Sequence, residues 1–188
     1  MYYTTNYASP LGRILLAGDG KNIVGLWLEG QKYYGDTLKD KKHGEKAEAA
    51  EAVQKDDLPV FAAAKDWLGR YFRGDKPGIA ELPLSPAGSE FRKMVWDILC
   101  KIPYGEYITY GDIAAAVSAK TGRQMSAQAV GGAVGHNPIS IIIPCHRVVG
   151  TGGSLTGYAG GIGKKVKLLE HEGADMSGLF VPAWGTAL

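Results

Sequence analysis

The stretch Asn137-Pro138-Ile139-Ser140-Ile141-Ile142-Ile143-Pro144-Cys145-His146-Arg147-Val148-Val149-Gly150 constrains this chain more than any other. Its run of three isoleucines, 141 to 143, predicts a short buried strand. Pro144 ends that strand, because proline has no N–H to give a ladder. A thiol and an imidazole follow at once, Cys145 and His146. A rigid apolar strand that carries a Cys-His pair to an exposed end aims a nucleophile. Neighbours on a strand point to opposite faces, so direct contact is not assured and a water can bridge the pair.

An ordinary thiol, with a pKa near ~8.5, is only slightly ionised at neutral pH and needs a base. A histidine base works best when a carboxylate orients its other nitrogen. Glu172 is the candidate, with Asp175 behind it. The residues alone leave open whether Glu172 orients His146 or is solvated at a helix end. Cys100 reads as a small core residue. Two cysteines make neither a disulfide framework nor a zinc cluster. The four histidines, His43, His136, His146 and His171, lack paired-ligand spacing. No structural metal and no cofactor are expected.

At 188 residues the chain has room for one large domain or two small ones. No run approaches the ~18 apolar residues of a membrane span. The start, Met1-Tyr2-Tyr3-Thr4-Thr5, has no basic region or apolar core, so no signal peptide is read and a cytoplasmic address is expected. The net charge is +2, with nine Lys/Arg against seven Asp/Glu from Ser85 onward and twelve of each before it. That small excess, on the side of Cys145, permits nucleic-acid binding without indicating it.

Residues 2–7, 13–17 and 22–28 alternate or run apolar between turn-forming clusters, which predicts an antiparallel meander. Residues 36–57 mix both charge signs and read as a solvated loop or helix face. Residues 59–72 carry apolar side chains at helical spacing, with Gly74 beyond their end. A helix laid on the meander closes a small domain near residue 80. A Pro/Gly-rich linker follows over 82–88. Ser89 caps a helix to about Lys101, with Phe91, Val95, Trp96, Leu99 and Cys100 on its apolar face. Thr109 caps a short helix over 110–118, and Ser126 caps the next, to about Val134. That second helix is small-faced: Ala127, Ala129, Gly131, Gly132 and Ala133. Glycine inside a helix costs roughly 1 kcal/mol against alanine, which a chain accepts where something comes close. Tight helix packing and a helix-turn-helix pressed on nucleic acid fit these residues equally well. The glycine-dense stretch 151–161 lacks the GK[ST] ending of a phosphate loop and suits a flap, with Tyr158 as an apolar wall. The last helix, 164–171, has Val166, Leu168 and Leu169 inward and Gly173 as its cap. Residues 174–188 carry little information.

The stretch Ile143-Pro144-Cys145-His146-Arg147-Val148-Val149 resembles the Pro-Cys-His-Arg-Val signature of the O6-alkylguanine-DNA alkyltransferases, also called methylated-DNA–protein-cysteine methyltransferases. Other blocks resemble the family in the same order: 91–96, 102–106, Thr109-Tyr110, 129–133, Asn137-Pro138, 157–161 and 168–173. The likeness spans residues 89–173, and the first 80 fit the family's variable N-terminal domain by pattern. It implies an α+β protein in two parts. A ribonuclease H-like antiparallel-sheet domain with a helix occupies residues 1–80. A mainly helical DNA-binding and alkyl-transfer domain with a helix-turn-helix occupies residues 85–188.

The implied function is single-turnover repair by a monomer without a cofactor. Its partner is double-stranded DNA containing O6-alkylguanine, bound in the minor groove, with the damaged base flipped into a pocket at a cost of a few kcal/mol. The alkyl group passes irreversibly from guanine O6 to Cys145, and O4 of thymine is a further substrate class left open. The resemblance gives His146 a water-mediated role, has Glu172 hold His146, and has Asn137 pin the turn before the active-site strand. Tyr110 donates to the leaving guanine. Backbone carbonyls at Cys145 and Val148 accept from its exocyclic amine. Tyr158 and Ala159 line the pocket, and Arg147 is structural. DNA contacts fall on Gln128, Ser126, Ala127, Ala129, Gly131, Arg92 and Thr151. Two residues depart from the family pattern. Gln128 stands where many members place an arginine in the space left by the flipped base, which weakens phosphate attraction. Ala159 stands where some have a serine that reaches O6. The loop between Tyr110 and Gln128 is long, and Lys120 or Arg123 can touch DNA from it. The N-terminal cysteines that hold zinc in some relatives are missing. Two rival readings remain: a cysteine hydrolase or acyltransferase, which would turn over, and a non-catalytic lesion reader, which would not need Cys145.

Overall fold

The computed structural model describes residues 1–38 and 52–183. They form two compact units, Met1–Ala87 with Pro138–Ser140, and Gly88–Asn137 with Ile141–Leu188.

The first unit holds the expected meander. Strands β1 (Tyr3–Ser9), β2 (Gly12–Gly18) and β3 (Ile23–Leu28) pair antiparallel in sequence. The stretch read as solvated over 36–57 falls largely on 39–51, outside the described residues. Its far end is no loop: β4 (Val53–Gln54) pairs parallel with β1, giving the order β3-β2-β1-β4. Helix α1 (Pro59–Arg73) packs across β1, β2 and β3. Val60, Phe61, Ala64, Trp67, Leu68 and Tyr71 recur at the three-four spacing of one helical face, and all are buried. Proline opens the helix, where its missing N–H costs nothing, and Gly74 closes it at φ 85°.

Every residue of β3 is buried, as in a strand covered on both faces. Its outer edge is also occupied. Ile23 donates to the Pro83 carbonyl at 2.8 Å and accepts from Ser85 at 2.8 Å. Leu26 likewise donates to Pro138 and accepts from Ser140. Residues 82–88 are therefore no free linker. They finish the sheet edge, and the first unit runs to Ala87. Proline suits such an edge because it faces no further strand.

The second unit is mainly helical: α2 (Glu90–Leu99), α3 (Tyr110–Thr121), α4 (Ala127–Gly135) and α5 (Ile162–His171). Three of the four N-termini are capped as the sequence predicts. Ser89 accepts from Arg92, Ser126 accepts from Ala129, and Thr109 forms a reciprocal capping box with Asp112. Met125 donates its N–H to the Ser118 hydroxyl at 2.9 Å, which shapes the turn between α3 and α4. Trp96 of α2 donates from Nε1 to the Ala133 carbonyl at 2.9 Å and so ties α2 to α4. A short parallel ladder, β5 (Ile108–Thr109) with β6 (Val148–Val149), was not read from the sequence. Two residues per strand are too few to leave a period. Cys100 lies just past α2 rather than on its apolar face and is half-buried.

Candidate active site

The three isoleucines are buried but form no strand. Ile141 has φ 69°, a conformation costly for a branched side chain, and it turns the chain. A short apolar run does not specify a ladder, and packing buries this one as a turn. Cys145–Arg147 then form a single 3₁₀ turn, with Arg147 donating to the Pro144 carbonyl at 3.0 Å and Val148 to Cys145. Successive 3₁₀ side chains project about a third of a turn apart. Cys145 and His146 are thus not on opposite faces of a strand. Nor is the thiol exposed: Cys145 is 3% accessible.

Glu172 joins the site from the end of α5. Its Oε1 accepts from His146 Nε2 at 2.7 Å and from Arg147 Nη2 at 3.0 Å. Its Oε2 accepts from Arg147 Nε at 2.7 Å and from the Gly105 N–H at 3.2 Å. Arg147 also donates to the Ile102 carbonyl at 2.6 Å and lies over the Tyr104 ring. Burial works to raise the Glu172 carboxyl, but the bonds and charges of His146 and Arg147 overcome it and hold it well below the usual carboxylate range. A carboxylate only accepts, so His146 Nε2 carries the proton. Burial keeps the imidazole neutral, pushing it down against the pull of Glu172. Nδ1 is then the bare nitrogen. It is buried and finds no hydrogen-bond partner among the described residues. Asp175, the weaker candidate, accepts instead from the Ser177 N–H.

Around the thiol, Asn137 donates from Nδ2 to Cys145 Sγ at 3.1 Å and to the Ile143 carbonyl at 2.8 Å. Burial pushes the thiol up, while the Asn137 amide and the charge of Lys165 work against it. Sequence reading missed Lys165. It is fully buried on α5, in place of the half-buried Val166, and donates to the carbonyls of Val148 at 2.5 Å and Thr156 at 2.6 Å. Burial brings its ammonium down to about 8, against the pull of Cys145. The signal was present: a lysine three and four residues before Leu168 and Leu169 sits on the apolar stripe. Tyr110, half-buried, directs its hydroxyl to the carbonyls of Thr156 at 3.2 Å and Gly157 at 3.1 Å. Tyr158 is buried with its hydroxyl unpartnered and its ring edge-on to His146; Ala159 is half-buried.

Most of the residues read as DNA contacts are exposed, unlike this cluster. Ser126, Ala127, Gln128 and Ala129 are exposed at the start of α4, and Thr151 is exposed. Gly131 and Arg92 are half-buried, and a side chain at Gly131 would meet the Tyr110 ring at 4.0 Å. A side chain at Gly132 would meet nothing. Among the described residues no three His, Cys, Asp or Glu side chains converge on a metal position, and no helix is long and apolar enough to cross a membrane.

Residues 90–174 match the DNA-binding domain of 6-O-methylguanine DNA methyltransferases, and residues 1–86 match their ribonuclease-like domain. The methylated-DNA–protein-cysteine methyltransferase of Methanosarcina acetivorans is 43% identical over 93% of this chain and 99% of its own. The chain belongs to this family. The O6-methylguanine methyltransferase of Mycobacterium tuberculosis superposes with a TM-score of 0.71 at 37% identity, over 92% of this chain and 93% of that one. A structure of Mycobacterium tuberculosis OGT in complex with DNA superposes with a TM-score of 0.69 at 38% identity, over 91% of each. The fold is that of the methyltransferases, with a sheet-and-helix part followed by a helical DNA-binding part, and the enzyme class is methylated-DNA–protein-cysteine methyltransferase.

The Glu172 geometry generates a stability prediction. Glu172→Gln leaves Arg147 buried without its counter-charge, so denaturant unfolding at neutral pH should show a loss of about 3–5 kcal/mol. A depressed carboxyl stabilises above its unfolded pKa and loses that contribution as pH falls toward the folded value. The gap between wild type and variant should therefore narrow below pH ~4. A gap independent of pH would show that the ionised carboxylate is not what holds the site.

Proposed function

We propose that this protein repairs duplex DNA by moving an alkyl group from guanine O6 to Cys145, once per molecule. The observation that carries this reading is the buried His146–Glu172 pair, which leaves Nδ1 as the free nitrogen on the residue that follows the buried thiol of Cys145. Nδ1 takes the thiol proton through a bridging water. Sγ attacks the alkyl carbon in line with the C–O6 bond; the S–C bond forms as the C–O6 bond breaks. The electron pair stays on guanine, which takes a proton from the Tyr110 hydroxyl. The proton held by the imidazole restores Tyr110 through solvent, so the net change moves the thiol proton to guanine. The thioether has no leaving step, which ends the reaction after one event.

The pocket groups support the flipped base as substrate. The Val148 carbonyl, already held by Lys165, keeps a second lone pair for an exocyclic amine. Tyr158 and Ala159 supply an apolar wall. Thymine lacks that amine, so O4-alkylthymine is the poorer substrate. The start of α4 enters the groove, Gln128 fills the place of the flipped base, and Arg92 and Thr151 hold phosphates. All the groups of the site come from one chain, and the protein acts as a monomer.

Intact mass after incubation with excess duplex containing O6-methylguanine should rise by one methyl group, once per molecule, with the label on the Cys145 peptide. Catalytic release of many product bases per protein would replace this reading with a hydrolase, and bound DNA without a mass gain would replace it with a lesion reader. The groove placement is tested separately. Ala129→Glu sets a carboxylate on an exposed site against phosphate and should weaken duplex binding more than about tenfold with the circular dichroism unchanged. Unchanged fluorescence anisotropy titrations would remove α4 from the interface.

A further inference from the structure

Residues 174–180 carry no motif, yet they are built into the second unit. Gly173 turns the chain out of α5 at φ 70°, and Ala174 donates to the Leu169 carbonyl. Leu179 donates to Met176 and reverses the chain again. Phe180 then pairs with the stretch that follows β6: its N–H donates to the Gly153 carbonyl at 3.1 Å, and its carbonyl accepts from Leu155 at 2.8 Å. The approach is close enough to demand glycine. A Cβ at Gly153, which has φ 91°, would lie 1.9 Å from the Gly178 carbonyl oxygen. Beneath the ladder, Ala174 joins Val149, Leu155 and Leu169 in one apolar cluster, with Met176 and Leu179 packed against it. Phe180 is 51% exposed and both its bonds to this stretch are backbone ones, so the backbone makes this attachment.

The stretch pinned in this way runs directly into the pocket wall. One residue beyond Leu155, the Thr156 carbonyl accepts from Lys165 and Tyr110; then come Gly157, Tyr158 and Ala159. The ladder to Phe180 therefore holds the near end of the segment that carries Tyr158 and Ala159. We infer that residues 174–180 set the size of alkyl group that Cys145 accepts, by keeping residues 150–156 from swinging outward. This rests on the alkyl-transfer reading above. A pinned wall favours a methyl group. A released wall makes room for a benzyl group without touching the thiol, His146 or Glu172.

The test compares single-turnover rates on duplexes carrying O6-methylguanine and O6-benzylguanine, read by intact mass on the full chain. Phe180→Pro deletes the N–H that bonds Gly153 and leaves the core intact. Gly153→Ala breaks the same ladder from the other side. Phe180→Ala keeps the ladder and serves as the control. In the first two variants the benzyl-to-methyl rate ratio should rise about fivefold, the scale of one net hydrogen bond. It should stay within about twofold of wild type in Phe180→Ala, with near-wild-type melting in the two Phe180 variants and a lower melting point in Gly153→Ala, whose Cβ meets the Gly178 carbonyl at a positive φ. A ratio unchanged or lowered in both ladder variants would overturn the inference, as would an equal rise in Phe180→Ala. Wild-type protein that transfers neither group would instead refute the underlying reading, which separates the two failures.

Discussion

The second unit depends on one buried carboxylate. Glu172 is 5% exposed and carries a charge. Removing such an ion from water costs several kcal/mol unless its lone pairs are met. Here they are met from two parts of the chain, His146 and Arg147 on the 3₁₀ turn and Gly105 on the turn after α2, which are thereby tied to the end of α5 that bears Glu172. Satisfying one ion therefore fixes how these parts meet. It also fixes chemistry. The acceptor-only carboxylate dictates the tautomer of His146, and the guanidinium it shares leaves Arg147 committed to structure rather than substrate.

The thiol side is held by different means. Among the described residues, Cys145 makes no bond to an anionic group or to an imidazole. Its ionised form is helped by the Asn137 amide and by the distant charge of Lys165. Among the described residues Lys165 meets only carbonyl oxygens, so its cation is stabilised by dipoles rather than by a counter-ion. A carboxylate beside it would have cancelled the field that favours a thiolate. The same ammonium binds Val148 and Thr156 and so ties together both ends of the intervening loop. One buried lysine thus serves both the electrostatics of the thiol and the fixing of that loop.

Much of this was legible in the residues, and the failures are instructive. Helices α1, α2, α3 and α4 announced themselves through apolar spacing and through caps at Ser89, Thr109 and Ser126. The chemistry a thiol requires pointed to Cys145 and His146 with Glu172 as one candidate, and only the resemblance to the alkyltransferases assigned Glu172 to His146. The isoleucine run misled, because burial was clear in the sequence but backbone conformation was not; Ile141 adopts a positive φ that branched residues rarely accept. The linker misled for a related reason. Its prolines mark an irregular segment, and only the tertiary fold shows that segment docked on β3. The place of Lys165 on the apolar stripe of α5 was legible but its partners were not, and the attachment of Phe180 was invisible, because both act through backbone carbonyls, which are the same in every sequence.

The central claim is that Glu172 fixes His146 as a neutral imidazole with its proton on Nε2 and Nδ1 free to take the thiol proton. Nitrogen-15 NMR of the imidazole in the intact protein, assigned to His146 by substitution, tests it most directly. The account predicts a neutral ring across neutral pH, with a protonated Nε2 and an unprotonated Nδ1. An imidazolium, or a neutral ring with the proton on Nδ1, would contradict it and leave Cys145 without its base.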